Sequence, residues 1–161
     1  MELLNQIVPP VATTPVKSVP LKVDNRLYNT IWAEAAGGSP DEIRAVTSVF
    51  LNRAQKEGYE KALQGSSAYK KQSKQYIKAS TGDMNIPEKV LYRIYKVVID
   101  DLVNNPDKAL PYTYFENLRD LKTRKEPSWV KNMASSVDIG RQRFYIEKQN
   151  PRVKALSQSN K

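Results

Sequence analysis

Apolar positions recur every three or four residues in three stretches of the chain, and each stretch predicts an amphipathic helix. In the first, Leu27, Ile31 and Ala35 fall at four-residue spacing, with Tyr28 and Trp32 alongside. Asp24 or Asn25 is placed to cap it. The helix is expected to run to about Ala36 and to stop at Gly37-Gly38, because glycine accepts the left-handed conformation just past a helix end. The second opens at Ser39-Pro40-Asp41-Glu42. Ser39 suits the cap, Pro40 the first helical position, and Glu42 the reciprocal partner of a capping box. Ile43, Val46, Val49 and Phe50 form its stripe, running on to about Gln55. The third runs from Pro87 to Val103, with Asn85 and Glu88 at capping-box spacing. Its predicted buried face is Val90, Leu91, Ile94, Val97, Val98 and Leu102, and Asn104-Asn105-Pro106 ends it.

Between and after these helices the periodicity weakens. Residues 56–85 are polar and predict a short helix at 59–64, then loops with a helical turn. Aromatic residues after Pro111 predict an extended Tyr112–Phe115. A short helix is expected at Ser128–Met133. Val137–Ile139 and Arg143–Ile146 flank Gly140, either as a hairpin or as separate strands. The fold class that follows is α+β, mostly helical, with a minor β element. Residues 1–23 hold four of the ten prolines and read as an extended N-terminal arm that docks on its own domain or on a partner chain. Residues 24–150 then form the single folded domain, and 151–161 a polar tail.

Composition narrows the chemistry. The chain has 161 residues, no histidine and no cysteine. That excludes disulfides, thiolate metal sites, Ser-His-Asp and Cys-His catalysis and nearly every zinc enzyme. No metal and no cofactor is expected, and an enzyme here has to be built on carboxylates. No apolar run reaches the ~18–20 residues of a membrane span. The N-terminus lacks the layout of a secretory signal, so export is expected to use another route. Net charge is +9, unevenly spread: residues 1–52 carry four basic and five acidic side chains, residues 53–161 twenty-two and twelve. Such a basic portion attracts a polyanion, whether nucleic acid, an anionic membrane surface or an anionic wall polymer, or is simply a solvated face.

Glu34 is the carboxylate of interest. It lies in the last turn of the first predicted helix, within Ile31-Trp32-Ala33-Glu34-Ala35-Ala36-Gly37-Gly38. Apolar neighbours and the helix C-terminal carbonyls both disfavour its charged form, so it is expected to hold a proton for a leaving-group oxygen. The other reading is a surface Glu that happens to follow Ala33. Glycosidases normally set a second carboxylate opposite the first. Asp41 and Glu42 are explained as helix-start residues, and Asp83, Glu116 and Asp138 are possible seconds with no spacing argument. Otherwise the substrate supplies the nucleophile. Nine tyrosines stand against three phenylalanines. Tyr69, Tyr76, Tyr112 and Tyr114 suit either stacking on sugars or covering core edges. The stretch 64–78 is basic and aromatic and suits an anionic polymer.

Taken in order, these motifs resemble the SleB-type, spore-cortex-lytic cell wall hydrolases, a family also found in phages. The family pattern Glu-Ala-x-Gly is matched by Glu34-Ala35-Ala36-Gly37, and its helix ending in Asn-Arg by Val46 to Asn52-Arg53. Its Gln-Phe-like element is matched by Gln75-Tyr76, and its aromatic run ending in Asn by Tyr112-Thr113-Tyr114-Phe115-Glu116-Asn117. Trp129 precedes the close, Gly140-Arg141-Gln142-Arg143-Phe144, where Gln142 replaces a family histidine. The resemblance implies a lysozyme-like fold and lytic transglycosylase action on peptidoglycan glycan strands. Glu34 would be the single catalytic Glu, cleaving between MurNAc and GlcNAc. Gln75, Tyr76, Tyr112, Tyr114, Asn117 and Gln142 would bind substrate, while Trp32 and Phe50 read as core. It further implies a phage virion enzyme of tail or capsid, meeting other virion proteins through residues 1–23 and acting in the bacterial wall and periplasm. The alternatives are an inactive virion assembly protein of the same fold and a basic, non-specific nucleic-acid-binding module.

Overall fold

In the computed structural model the described residues are 21–148. Most of the predicted arm (1–20) and the tail lie outside them. Six α-helices come first: α1 Asn25–Ala35, α2 Pro40–Glu57, α3 Tyr59–Gln64, α4 Ser67–Lys70, α5 Lys74–Thr81 and α6 Ile86–Asn104. Three strands follow: β1 Tyr114–Asn117, β2 Met133–Ile139 and β3 Gln142–Glu147. Short 3-10 turns occupy Pro106–Lys108, Asp120–Lys122 and Ser128–Asn132. The class is α+β, with about 60% of the described residues helical when the 3-10 turns are included, and one small antiparallel sheet. No described helix is long and apolar enough to cross a membrane.

The long helices start where local chemistry starts them. Asp24 accepts from the Arg26 N–H at 3.1 Å, and Ser39 from the Glu42 N–H at 3.2 Å. Asn85 and Glu88 form both halves of a capping box, at 2.9 and 3.0 Å. The box predicted for α2 is only half made. Ser39 caps, but the Glu42 carboxylate turns inward to Arg141, because a buried carboxylate requires donors that a solvated helix end does not.

Region 56–85 is more helical than its polarity suggests. Beyond α3, the serines Ser66 and Ser73 each cap a further helix, accepting from Tyr69 N–H and Tyr76 N–H at 3.2 Å. α5 then packs on α1 through buried Tyr76.

The buried face of α6 matches expectation only in part: Leu102 is buried and Leu91 and Val98 are half-buried as predicted, but the face is rotated. Tyr95, Ile99, Leu102 and Val103 are buried, while Ile86 and Val97 are 77% and 70% exposed and Val90 and Ile94 also face solvent. The phenols account for the rotation. The Tyr95 hydroxyl donates to Gly38 O at 3.0 Å and the Tyr92 hydroxyl to Asn29 Oδ1 at 2.7 Å, and both rings flank Trp32. Aromatic area with a satisfied hydroxyl takes the inner position over the aliphatic stripe.

The sheet order is β1-β3-β2, antiparallel throughout. The hairpin alternative holds: β2 and β3 are joined by Gly140-Arg141, with Ile139 opposite Gln142. Gly140 has φ +61 and Arg141 does not share that sign, the arrangement of a two-residue II′ turn. β1 pairs with β3 through Phe115↔Phe144 and Asn117↔Gln142. Directly opposed residues share a face, so Phe115, Asn117, Gln142 and Phe144 line one side. Tyr114, Glu116, Arg143 and Tyr145 line the other. Phe144 reaches the helical core, where Trp32, Phe50, Ile31, Ile43 and Val46 lie.

Candidate functional site

Glu34 is half-buried at the C-terminal end of α1. The buried Ser66 hydroxyl donates to its Oε1 at 2.5 Å. That hydroxyl also caps α4, so its donor and its acceptor are both engaged. Oε2 has no protein partner among the described residues, and no lysine or arginine pairs with the carboxylate there.

From Ser66 the site continues along a line of contacts. A Cβ at Gly65 would lie 2.8–3.0 Å from the Arg53 guanidinium, so a larger residue here would push that cation aside. Arg53 ion-pairs with Glu57 at 3.2 Å and stacks over the Tyr114 ring, 5.0 Å from its centroid. Tyr114 in turn lies face to face with Trp129, centroids 4.8 Å apart. The neighbouring Asn52 amide donates to Leu110 O at 2.6 Å and Tyr112 O at 2.9 Å, tying the approach to β1 onto α2. The Asn52-Arg53 pair therefore has two tasks, one half fixing the strand and the other meeting its aromatic.

The β2–β3 turn closes over the end of α1. A helix leaves its last carbonyls without intrahelical partners. Here Gln142 Nε2 donates to Glu34 O at 3.2 Å, and Arg141 Nη2 to Ala36 O at 2.9 Å and Ala35 O at 3.5 Å. Glu42 holds Arg141 from below, its Oε1 accepting from the Arg141 N–H at 2.9 Å and its Oε2 from Nη2 at 3.3 Å. Glu42 is 1% exposed.

Of the residues named from sequence, Glu34 and Gln142 meet through the helix carbonyl, and Asn117 stands opposite Gln142 in the sheet. Asn117 is exposed, its Oδ1 accepting from Arg119 N–H at 2.8 Å. Tyr114 joins through Arg53 and Gly65. Tyr112 is half-buried against Phe144, with centroids 5.4 Å apart. Tyr76 is buried edge-on to Tyr69 at 5.6 Å. Burial pushes the phenols of Tyr112 and Tyr76 up from their ordinary value. Gln75 is on α5, and its buried Oε1 lacks a hydrogen-bond partner.

Two of the three possible second carboxylates are held by arginines. Asp138 ion-pairs with Arg143 at 2.7 Å, which keeps its carboxyl below the usual range. Glu116 is buried, takes the Tyr145 hydroxyl at 2.7 Å and pairs with Arg124. It lines a cavity of about 160 Å3 with Leu121, Lys125 and Val130, on the sheet face opposite Gln142. Asp83 is exposed between α5 and α6.

Three site residues escape a sequence reading. Ser66 has a legible signal, its capping position. Arg53 was visible only as half of a pair. Glu42 had none, since a first-turn acid and a buried one look alike along the chain. Compared with family models, with curated proteins and with solved structures, the chain matches none. The resemblance to cell wall hydrolases rests on the motif residues themselves.

Proposed function

We propose that the protein is a peptidoglycan-degrading lytic transglycosylase with Glu34 as its single catalytic carboxyl. The observation that carries this reading is the state of Glu34. One carboxyl oxygen is held by Ser66, the other has no protein partner and no cation pairs with it among the described residues, and of the other candidate acids Glu116 and Asp138 are each paired with an arginine. A helix ending in such a Glu, beside a small antiparallel sheet, supports a lysozyme-like arrangement.

Glu34 donates its proton to the glycosidic oxygen between MurNAc and GlcNAc as the C1–O bond breaks. The C6 hydroxyl of the same MurNAc attacks C1 and gives its proton to the Glu34 carboxylate. No water is consumed, and the product ends in 1,6-anhydro-MurNAc. Ser66 fixes the carboxyl rotamer through both half-reactions. The Tyr114–Trp129 stack offers an aromatic surface to one sugar ring of the strand, and Asn117 and Gln142, on the other face of the sheet, with Gln75 on α5, offer amides to hydroxyls elsewhere along the glycan. The enzyme belongs to a phage particle, carried in tail or capsid and applied to the wall during genome delivery.

The test is Glu34→Gln on purified sacculi, which removes the proton and little volume. Lysis should fall at least about a hundredfold, the low end of what a general acid contributes, with helicity unchanged. Parent digests should show anhydro ends by mass spectrometry. A Gln variant lysing as fast as the parent would falsify the assignment, and reducing ends in place of anhydro ends would make water the nucleophile.

A further inference from the structure

The geometry points to Glu42 as the positioning residue of this site, acting through Arg141 on the turn that carries Glu34. The inference rests on the proposed role of Glu34 and goes beyond it. Glu42 is fully buried, and the donors that satisfy it come from Arg141, a residue 99 positions away in sequence. Its carboxylate takes both the backbone N–H and the guanidinium of that residue. The same guanidinium bonds the carbonyls of Ala36 and Ala35, and the adjacent Gln142 bonds that of Glu34. One buried anion thus locks the hairpin turn onto the last turn of α1.

The backbone is shaped around this lock. A Cβ on Gly38 would stand 2.5 Å from Glu42 Oε2, and one on Gly140 2.0 Å from Oε1. Two glycines, one before α2 and one in the hairpin turn, open the slot that the carboxylate fills. The consequence is mechanical. Glu34 projects from α1, while Asn117 and Gln142 belong to the sheet. Their separation is set where the hairpin grips the helix end. A displacement of about 1 Å between catalytic groups and substrate costs up to about a hundredfold in rate. Glu42 touches no substrate in this scheme and acts only by holding that distance.

The experiment uses the full chain with Glu42→Gln, Arg141→Ala and the double variant. Arg141 has a side chain 56% exposed, so its truncation keeps the test alive where the buried change fails to fold. On glycan strands, kcat should fall about tenfold or more in each single variant, with KM within about twofold. The double variant should be no worse than the more impaired single, as for two residues acting as one unit. Arg141→Lys, which returns a cation to Glu42, should recover part of kcat. The second readout needs no activity: the side-chain carboxyl 13C shift of Glu34 should move in Glu42→Gln and Arg141→Ala but not in Lys108→Ala, beyond α6. If the parent cleaves no glycan and the Glu34 carbon still moves, the lytic reading falls and the lock stands. If kcat and the Glu34 carbon are both unchanged while only the melting temperature drops, Glu42 merely stabilises the fold and the proposal is wrong.

Discussion

Ser66 shows how one hydroxyl can serve architecture and chemistry together. Its oxygen accepts from Tyr69 N–H to start α4, and its proton goes to Glu34. Ser66→Ala removes both bonds at once. Loss of a helix cap costs about 1 kcal/mol, and an unheld Glu34 side chain samples other rotamers. The expected result is a lowering of stability by about 1–2 kcal/mol in urea, with a larger proportional loss of kcat than of substrate affinity. If kcat stays at the parent value while stability falls, Ser66 is a cap only. Gln142 marks the other side of the residue scale. The resembled family has a histidine at this position, and here an amide performs the contact visible in the structure, donating Nε2–H to the Glu34 carbonyl. That contact is uncharged and does not titrate, so it persists across the pH range in which an imidazole would change state.

At the scale of elements, α6 is the clearest case of tertiary structure overriding a local pattern. Counting aliphatic positions favours a face of Val90, Leu91, Ile94, Val97, Val98 and Leu102. The fold buries Leu102 from that set and half-buries Leu91 and Val98, but it turns Val90, Ile94 and Val97 to solvent and buries Tyr95 and Ile99, because that helix face meets Trp32 and the carbonyls at the end of α1. Two substitutions separate the faces. Val97→Lys should change stability by no more than about 0.5 kcal/mol, as for an exposed site. Ile99→Ala should cost about 2–5 kcal/mol, the range for a truncated core aliphatic. Urea unfolding of both variants is the check, and the reverse order would restore the face expected from periodicity. The same scale explains how α2 serves the site twice. Its N-terminal turn supplies Glu42 to the hairpin, and its C-terminal turn supplies Asn52 and Arg53 to β1. An 18-residue helix thereby sets the spacing between the grip on α1 and the aromatic stack.

Across the whole molecule, the basic surplus follows the chain beyond residue 52, and Lys70, Lys71 and Lys74 stand exposed around α4 and α5. These are the helices next to Glu34 in space, since Ser66 caps one and the other packs on α1. On the proposed function, an anionic wall polymer drawn to that side would arrive beside the candidate carboxyl. Screening at ~0.15 M salt shortens such attraction to about 8 Å. Raising salt from ~0.05 to ~0.5 M should therefore raise KM on sacculi several-fold and leave kcat nearly constant. A KM indifferent to salt would remove the basic face from substrate recruitment.

Most helix boundaries were legible along the chain because caps are local: Asp24, Ser39 and Asn85 each bond an amide two or three residues ahead. The place of Glu34 in the last turn of α1 was legible too, from the small residues and glycines that follow it. What only the folded chain decided is long-range. Gln142 meets Glu34 across 108 residues, Arg141 meets Glu42 across 99, and Tyr114 meets Arg53 at the sheet edge. A buried carboxylate and a solvated one have the same spelling. The difference between them is the desolvation that packing imposes, and packing is a property of elements brought together rather than of any stretch of residues.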